Sequence, residues 1–134
     1  MRFPKLSVRT VFLLDGLGAA VSVVVSGVVL PIYADALGLA PQVFHGFAAL
    51  AFAFMLWSLG CRFLVRQIKG WMLQVIMAAN TFYCLLSGAV LMLHADITSL
   101  GRAVLLAEII VVLSVVTVEM NVYLENFKRI NRSR

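Results

Sequence analysis

Four stretches of this 134-residue chain stay apolar for more than twenty residues at a time, and no other feature limits its fold so sharply. They run over about 8–31, 42–65, 71–93 and 100–123. At 1.5 Å per residue, a helix of roughly 23 residues reaches ~34 Å, enough to cross the hydrocarbon core of a bilayer. The chain is 63% hydrophobic and only 13% charged, and its polar residues are bunched between the runs instead of recurring every turn. A water-soluble fold would need polar surface that this chain does not have. The expectation is an all-α membrane protein: a single four-transmembrane-helix domain over 1–134, arranged as an up-down-up-down bundle because short loops make successive helices antiparallel neighbours.

The first run is interrupted only by Asp15. Its basic start and the Ala34-Asp35-Ala36 triplet resemble a secretory signal with its cleavage site, but the run is too long for such a segment and carries an acid, so an uncleaved span is expected. Pro31, Gly38 and Pro41 bracket the first connection. Trp71 opens the third run at the position of an interfacial aromatic belt. The fourth run gives way to the polar stretch Glu125-Asn126-Phe127-Lys128-Arg129.

Charge orients the bundle. Of eleven Lys and Arg residues, ten (Arg2, Lys5, Arg9, Arg62, Arg66, Lys69, Lys128, Arg129, Arg132 and Arg134) fall on one side, and only Arg102 falls on the other. Positive loops stay in the cytoplasm, so both termini and the central loop are expected inside. The net charge of +5 is thereby a topology signal. Basic residues are not interleaved with aromatics as in single-strand binders, so no nucleic-acid partner is expected. The expected partners are the lipid bilayer and a second copy or another membrane protein.

Any activity has to sit where the spans are polar. Asp15, Gly18, Ala19, Ser22 and Ser26 recur at i, i+3, i+4, i+7 and i+11 along one face of the first span. The plain reading is a packing seam, since small residues admit close helix approach; the sharper one is a polar lining, with Asp15 ~10 Å above the cytoplasmic edge. Glu108 and Glu119 share a face of the fourth span with Val112 and Val115 between them, Glu119 lying ~7 Å from the cytoplasmic end and Glu108 in the outer half. On the inner side Asp15, Ser58, Arg62, Asn80 and Glu119 are expected to converge, either as a structural knot in which Arg62 and Asn80 partner the acids or as a proton or ion site.

Asn80, Cys84 and Ser87 share a face of the third span beside Tyr83. Cys61 and Cys84 lie ~14 Å apart in depth, too far for a disulfide. On the outer side His45 and His94 sit at comparable depth, near Asp35 and Asp96, a geometry open to haem or a metal although interfacial histidines with no ligand are the simpler reading. No nucleophile elbow, phosphate loop or H-E-x-x-H helix is present, and Asp15-Gly16-Leu17-Gly18 lies inside a span where a dinucleotide motif has no place. No enzyme activity, cofactor or metal is therefore expected.

Leu14-Asp15-Gly16-Leu17-Gly18-Ala19, Ala79-Asn80 with Tyr83-Cys84, and Glu108-Ile109-Ile110 with Glu119 resemble a family of small uncharacterised bacterial four-span membrane proteins. The resemblance implies a bacterial inner-membrane location and carries no activity. Three functions follow as expectations: a non-enzymatic protein acting through helix contacts with itself or a membrane partner; a small proton-coupled or ion/solute transporter using Asp15, Glu108 and Glu119; and a haem-binding or quinone-linked redox subunit using His45 and His94.

Overall fold

The computed structural model describes residues 6–128, and within them the chain is helical with no strand. Arg2, Lys5, Arg129, Arg132 and Arg134 of the orienting charge set lie outside the described residues. Four helices are long and apolar enough to cross a membrane: α1 (Val8–Ile32), α3 (Pro41–Leu64), α4 (Gly70–Leu93) and α5 (Ser99–Lys128). A short helix, α2 (Ala34–Leu37), lies in the connection after α1.

Local chemistry sets the ends. The Ser7 side chain accepts the Thr10 N–H at 3.2 Å and that of Thr98 accepts the Gly101 N–H at 3.1 Å, so α1 and α5 each start on a hydroxyl cap. Pro41 occupies the first turn of α3, where its missing N–H costs nothing. Inside α1 a π-helical stretch covers Val25–Val29, with the Leu30 N–H bonded to the Val25 carbonyl. Pro31 explains it: the ring offers no N–H and crowds the preceding turn, so the ladder widens there. The fourth span is longer than its apolar run because a final π turn, Leu124–Lys128, continues it, and Phe127 stacks on Tyr123 at 5.7 Å.

The helices form two antiparallel hairpins. In the first, α1 runs back along α3: Leu59 lies against Gly16, where a Cβ would come within 2.5 Å of its Cδ2, and Gly27 sits over Ala48. In the second, α4 and α5 pair, with Gln74 Nε2 donating to the Tyr123 hydroxyl at 2.8 Å. Contact between the hairpins, α3 with α4 and α1 with α5, is far sparser than contact within them.

Backbone seams close the ends. At one, the Arg9 guanidinium donates to the carbonyls of Arg62 (2.8 Å), Val65 (2.8 Å) and Arg66 (2.7 Å), at and just past the C-terminus of α3. At the other, the Thr98 N–H donates to the Leu37 carbonyl at 3.1 Å and its hydroxyl to the Ala36 carbonyl at 2.7 Å. Gly38, at φ 72°, turns the chain there, directly against the Asp96 carbonyl. The apolar core is split accordingly. One cluster, with Leu30, Leu37, Phe44, Ile97 and Leu105, fills the Gly38 end; another, with Val11, Phe12, Leu73, Ile76 and Val122, fills the Arg9 end. Between these two plugs the interior turns polar.

Candidate functional site

The close approach of Leu59 to Gly16 brings their neighbours Ser58 and Asp15 face to face, and the Ser58 hydroxyl donates to Asp15 Oδ2. From the other hairpin, Asn80 Nδ2 donates to Asp15 Oδ1 at 2.9 Å and to Glu119 Oε1 at 3.1 Å. One primary amide has two N–H donors, and here each goes to a different carboxyl. Asn80 thus clasps α1 to α5 and one hairpin to the other. All four side chains are buried, Ser58 and Glu119 completely. Asn80 and Glu119 meet because every helical side chain leans toward the N-terminus of its own helix, and in an antiparallel pair those leans converge.

Arg62 does not join them. Its Nε is buried without a partner, its guanidinium lies 5.3 Å from the Phe63 ring, and the backbone carbonyl is what the rest of the fold uses, as an acceptor for Arg9. Among the described residues no ion pair relieves Asp15 or Glu119. Arg62 is therefore placed toward the basic end of the bundle, its long stem carrying the charge away from the acids.

A second polar centre lies deeper in the bundle. The Tyr83 hydroxyl donates to Glu108 Oε1 at 2.6 Å, and its ring packs against Phe47 at 5.1 Å and Phe54 at 6.4 Å. Ser26 on α1 and Ser87 on α4 are also fully buried, and their hydroxyls have no hydrogen-bond partner. Glu108 therefore pairs with Tyr83 and not with the histidines. His45 and His94 are exposed; His94 Nδ1 lies 3.2 Å from the Val90 carbonyl one turn back. Among the described residues no group of three or more His, Cys, Asp or Glu side chains is arranged to hold a metal ion. Cys61 and Cys84 are free and buried.

Between the two centres is a cavity of about 90 Å³. Asp15, Gly18, Ala19 and Ser22 form its α1 wall, Val111, Val112 and Val115 its α5 wall, and Ala51, Phe54, Asn80 and Tyr83 complete it. Four of the five residues of the α1 stripe thus face a void, and a Cβ on Gly18 would touch nothing within 4 Å. The close helix contact is made by Gly16 and Gly27 instead. Leu14, Gly18 and Val111 are exposed as well as lining, so the cavity opens sideways between α1 and α5. A second cavity of about 150 Å³ shares Asp15, Phe54 and Asn80 with the first and is otherwise lined by Trp57, Val75, Ile76 and Ala79. The bonded pair Asp15 and Asn80 therefore lines both cavities.

No family model, curated protein or solved structure matches the chain. Its function has to be read from this geometry.

Proposed function

We propose that the chain is a small proton-coupled solute permease of the bacterial inner membrane, an up-down-up-down bundle with both termini cytoplasmic. The observation that carries this is the fate of the α1 stripe: Asp15, Gly18, Ala19 and Ser22 line a cavity that runs from the Asp15–Asn80–Glu119 clasp to Tyr83. Arg9, Arg62, Arg66, Lys69 and Lys128 gather at one end of the described bundle and support the orientation.

Two carboxyl groups share one amide at membrane depth with no cation beside them, which makes this the place where a proton or a cation would be taken up. Ionising either acid changes how strongly it accepts from Asn80, and Asn80 is the polar tie between the hairpins. Proton binding is thereby coupled to hairpin separation, and the two bonded residues line both cavities. Tyr83 and Glu108 form a second protonatable station toward the opposite end. No covalent chemistry is involved.

The test is a panel of small cationic, neutral and anionic solutes added to proteoliposomes loaded with a pH-sensitive dye. One solute class should move protons, and Asp15→Asn and Glu119→Gln should each abolish that movement. Proton movement with no class of solute, or equal movement in both variants, would refute the reading.

A second reading, assembly through helix contacts, is supported by a different face. Gly46, Ala49, Ala53 and Gly60 share one side of α3; Gly46 and Gly60 meet nothing within 4 Å, and both alanines are exposed. Small residues on an open face are where a second transmembrane helix packs closely. Disulfide trapping of an Ala53→Cys variant, in a background lacking Cys61 and Cys84, tests it: a crosslinked dimer is expected, and a monomer under oxidation counts against it.

A further inference from the structure

We infer that the cavity between α1 and α5 binds a small alkylammonium ion, its charged head on Asp15 and its hydrocarbon body against Val112, Val115 and the rings of Phe54 and Tyr83. The inference rests on the reading of this cavity as the solute site and names the chemical class it takes.

Charge decides first. Asp15, Glu108 and Glu119 stand in or beside the polar interior, and among the described residues no Lys or Arg lines the cavity. An anion would meet like charge in a low-dielectric site. A neutral solute that accepts no proton would give the acid no charged partner. Asp15 also has capacity to spare: Oδ1 accepts from Asn80 and Oδ2 from Ser58, while a carboxylate offers about four lone-pair positions. The remaining positions suit the N–H groups of an ammonium.

The rest of the lining decides what kind of cation. A bare metal ion asks for six or more oxygens (Ca²⁺) or a tight octahedron (Mg²⁺). This wall offers valines, alanines and two aromatic rings instead. Aromatic faces and an apolar wall around a single acid are what an organic cation finds favourable. At about 90 Å³ the cavity is smaller than the ~150 Å³ void that accommodates benzene, which limits the body to a few carbons.

Access points the same way. Both ends of the interior are plugged by apolar clusters, while the cavity opens laterally between α1 and α5 toward exposed Leu14 and Val111. A ligand that arrives from the hydrocarbon side must be partly apolar. An amine in its neutral form is soluble there, and on accepting one proton from the protonated carboxyl it becomes the ammonium paired with the carboxylate; one N–H bond forms as one O–H bond breaks.

Isothermal titration of the purified full chain in detergent micelles tests the assignment, with propylammonium as probe and 1-propanol and propionate as its neutral and anionic counterparts. Propylammonium is expected to bind saturably, with the other two at least tenfold weaker. Asp15→Asn should weaken propylammonium at least tenfold. So should Val112→Phe, which fills the cavity from the opposite wall and touches no polar bond, so that lost folding and lost binding are told apart by its elution and helical circular dichroism. Equal binding of 1-propanol, no saturable binding of propylammonium, or undiminished binding in either variant overturns the assignment. Proton movement driven only by a non-cationic solute, and dependent on Asp15 and Glu119, overturns the ligand class and leaves the permease standing. Propylammonium binding with no proton movement for any solute overturns the permease and leaves the binding site.

Discussion

Replacing Asn80 by Leu removes the one side chain that bonds both Asp15 and Glu119, at similar length and with no polar atom. Hydrogen bonds between transmembrane helices contribute on average ~0.6 and at most about 1.7 kcal/mol each. Two are lost, so the expected cost is about 1–3 kcal/mol, and at 2 kcal/mol the folded-to-unfolded ratio falls roughly 30-fold. The measurement is reversible unfolding in mixed detergent micelles, followed by circular dichroism. A double-mutant cycle of Asn80→Leu with Glu119→Leu should return a coupling of about 0.6–1.7 kcal/mol, because the two residues touch. Ser87→Ala supplies the contrast: that hydroxyl is as deeply buried but bonds to nothing, so its removal should cost little. If Asn80→Leu falls within about 0.5 kcal/mol of the parent, or no further from it than Ser87→Ala, the amide is not a clasp and the coupling argument fails.

Arg9→Ala should destabilise the chain by about 1–2 kcal/mol in the same assay, because three carbonyls at and just past the α3 C-terminus lose a charged donor, and Arg9→Lys should recover only part of this for want of the planar fork. Gly38→Ala should lower the thermal midpoint clearly, since φ is 72° and the added carbon would meet the Asp96 carbonyl, whereas Gly18→Ala should leave it nearly unchanged. A membrane-impermeant thiol reagent should label Lys69→Cys from the cytoplasmic face only and Asp96→Cys from the opposite face only, in a background lacking Cys61 and Cys84; labelling of both from one face would contradict the orientation.

Hydropathy made the four helices legible because lipid imposes length and apolarity on each span separately, with no need to know its neighbours. The start of α1 stayed at Val8, behind the Ser7 cap, while that of α5 moved by one residue to Ser99, behind Thr98, and its end by more where it continues into the π turn. Neighbour-dependent features were less legible. Helical periodicity put Asp15, Gly18, Ala19 and Ser22 on one face but could not say whether another helix lay against it, and the equivalent spacing of Gly16 and Gly27 turned out to be the seam. Depth counting brought Asp15, Ser58, Asn80 and Glu119 together as expected. It failed for Arg62, whose backbone stands on the right face while a long flexible stem removes its charge. The Tyr83–Glu108 pair was within reach of the same reasoning. Folding 71–93 back on 100–123 about the connection at 94–98 sets residue 83 almost opposite 108.

The seam that ties Thr98 to Leu37 and Ala36 has a mechanical consequence. It acts as a fulcrum: two rigid arms are pinned together by backbone bonds at one tip, while at mid-length their polar tie is the Asn80 amide. With an arm of 24 residues, or ~36 Å, a tilt of about 10° displaces the far tip by roughly 6 Å and the middle by about half as much. That half-travel already exceeds the slack of any hydrogen bond. The lever cannot swing with Asn80 still attached to Asp15 across the arms, so detachment and motion are one event.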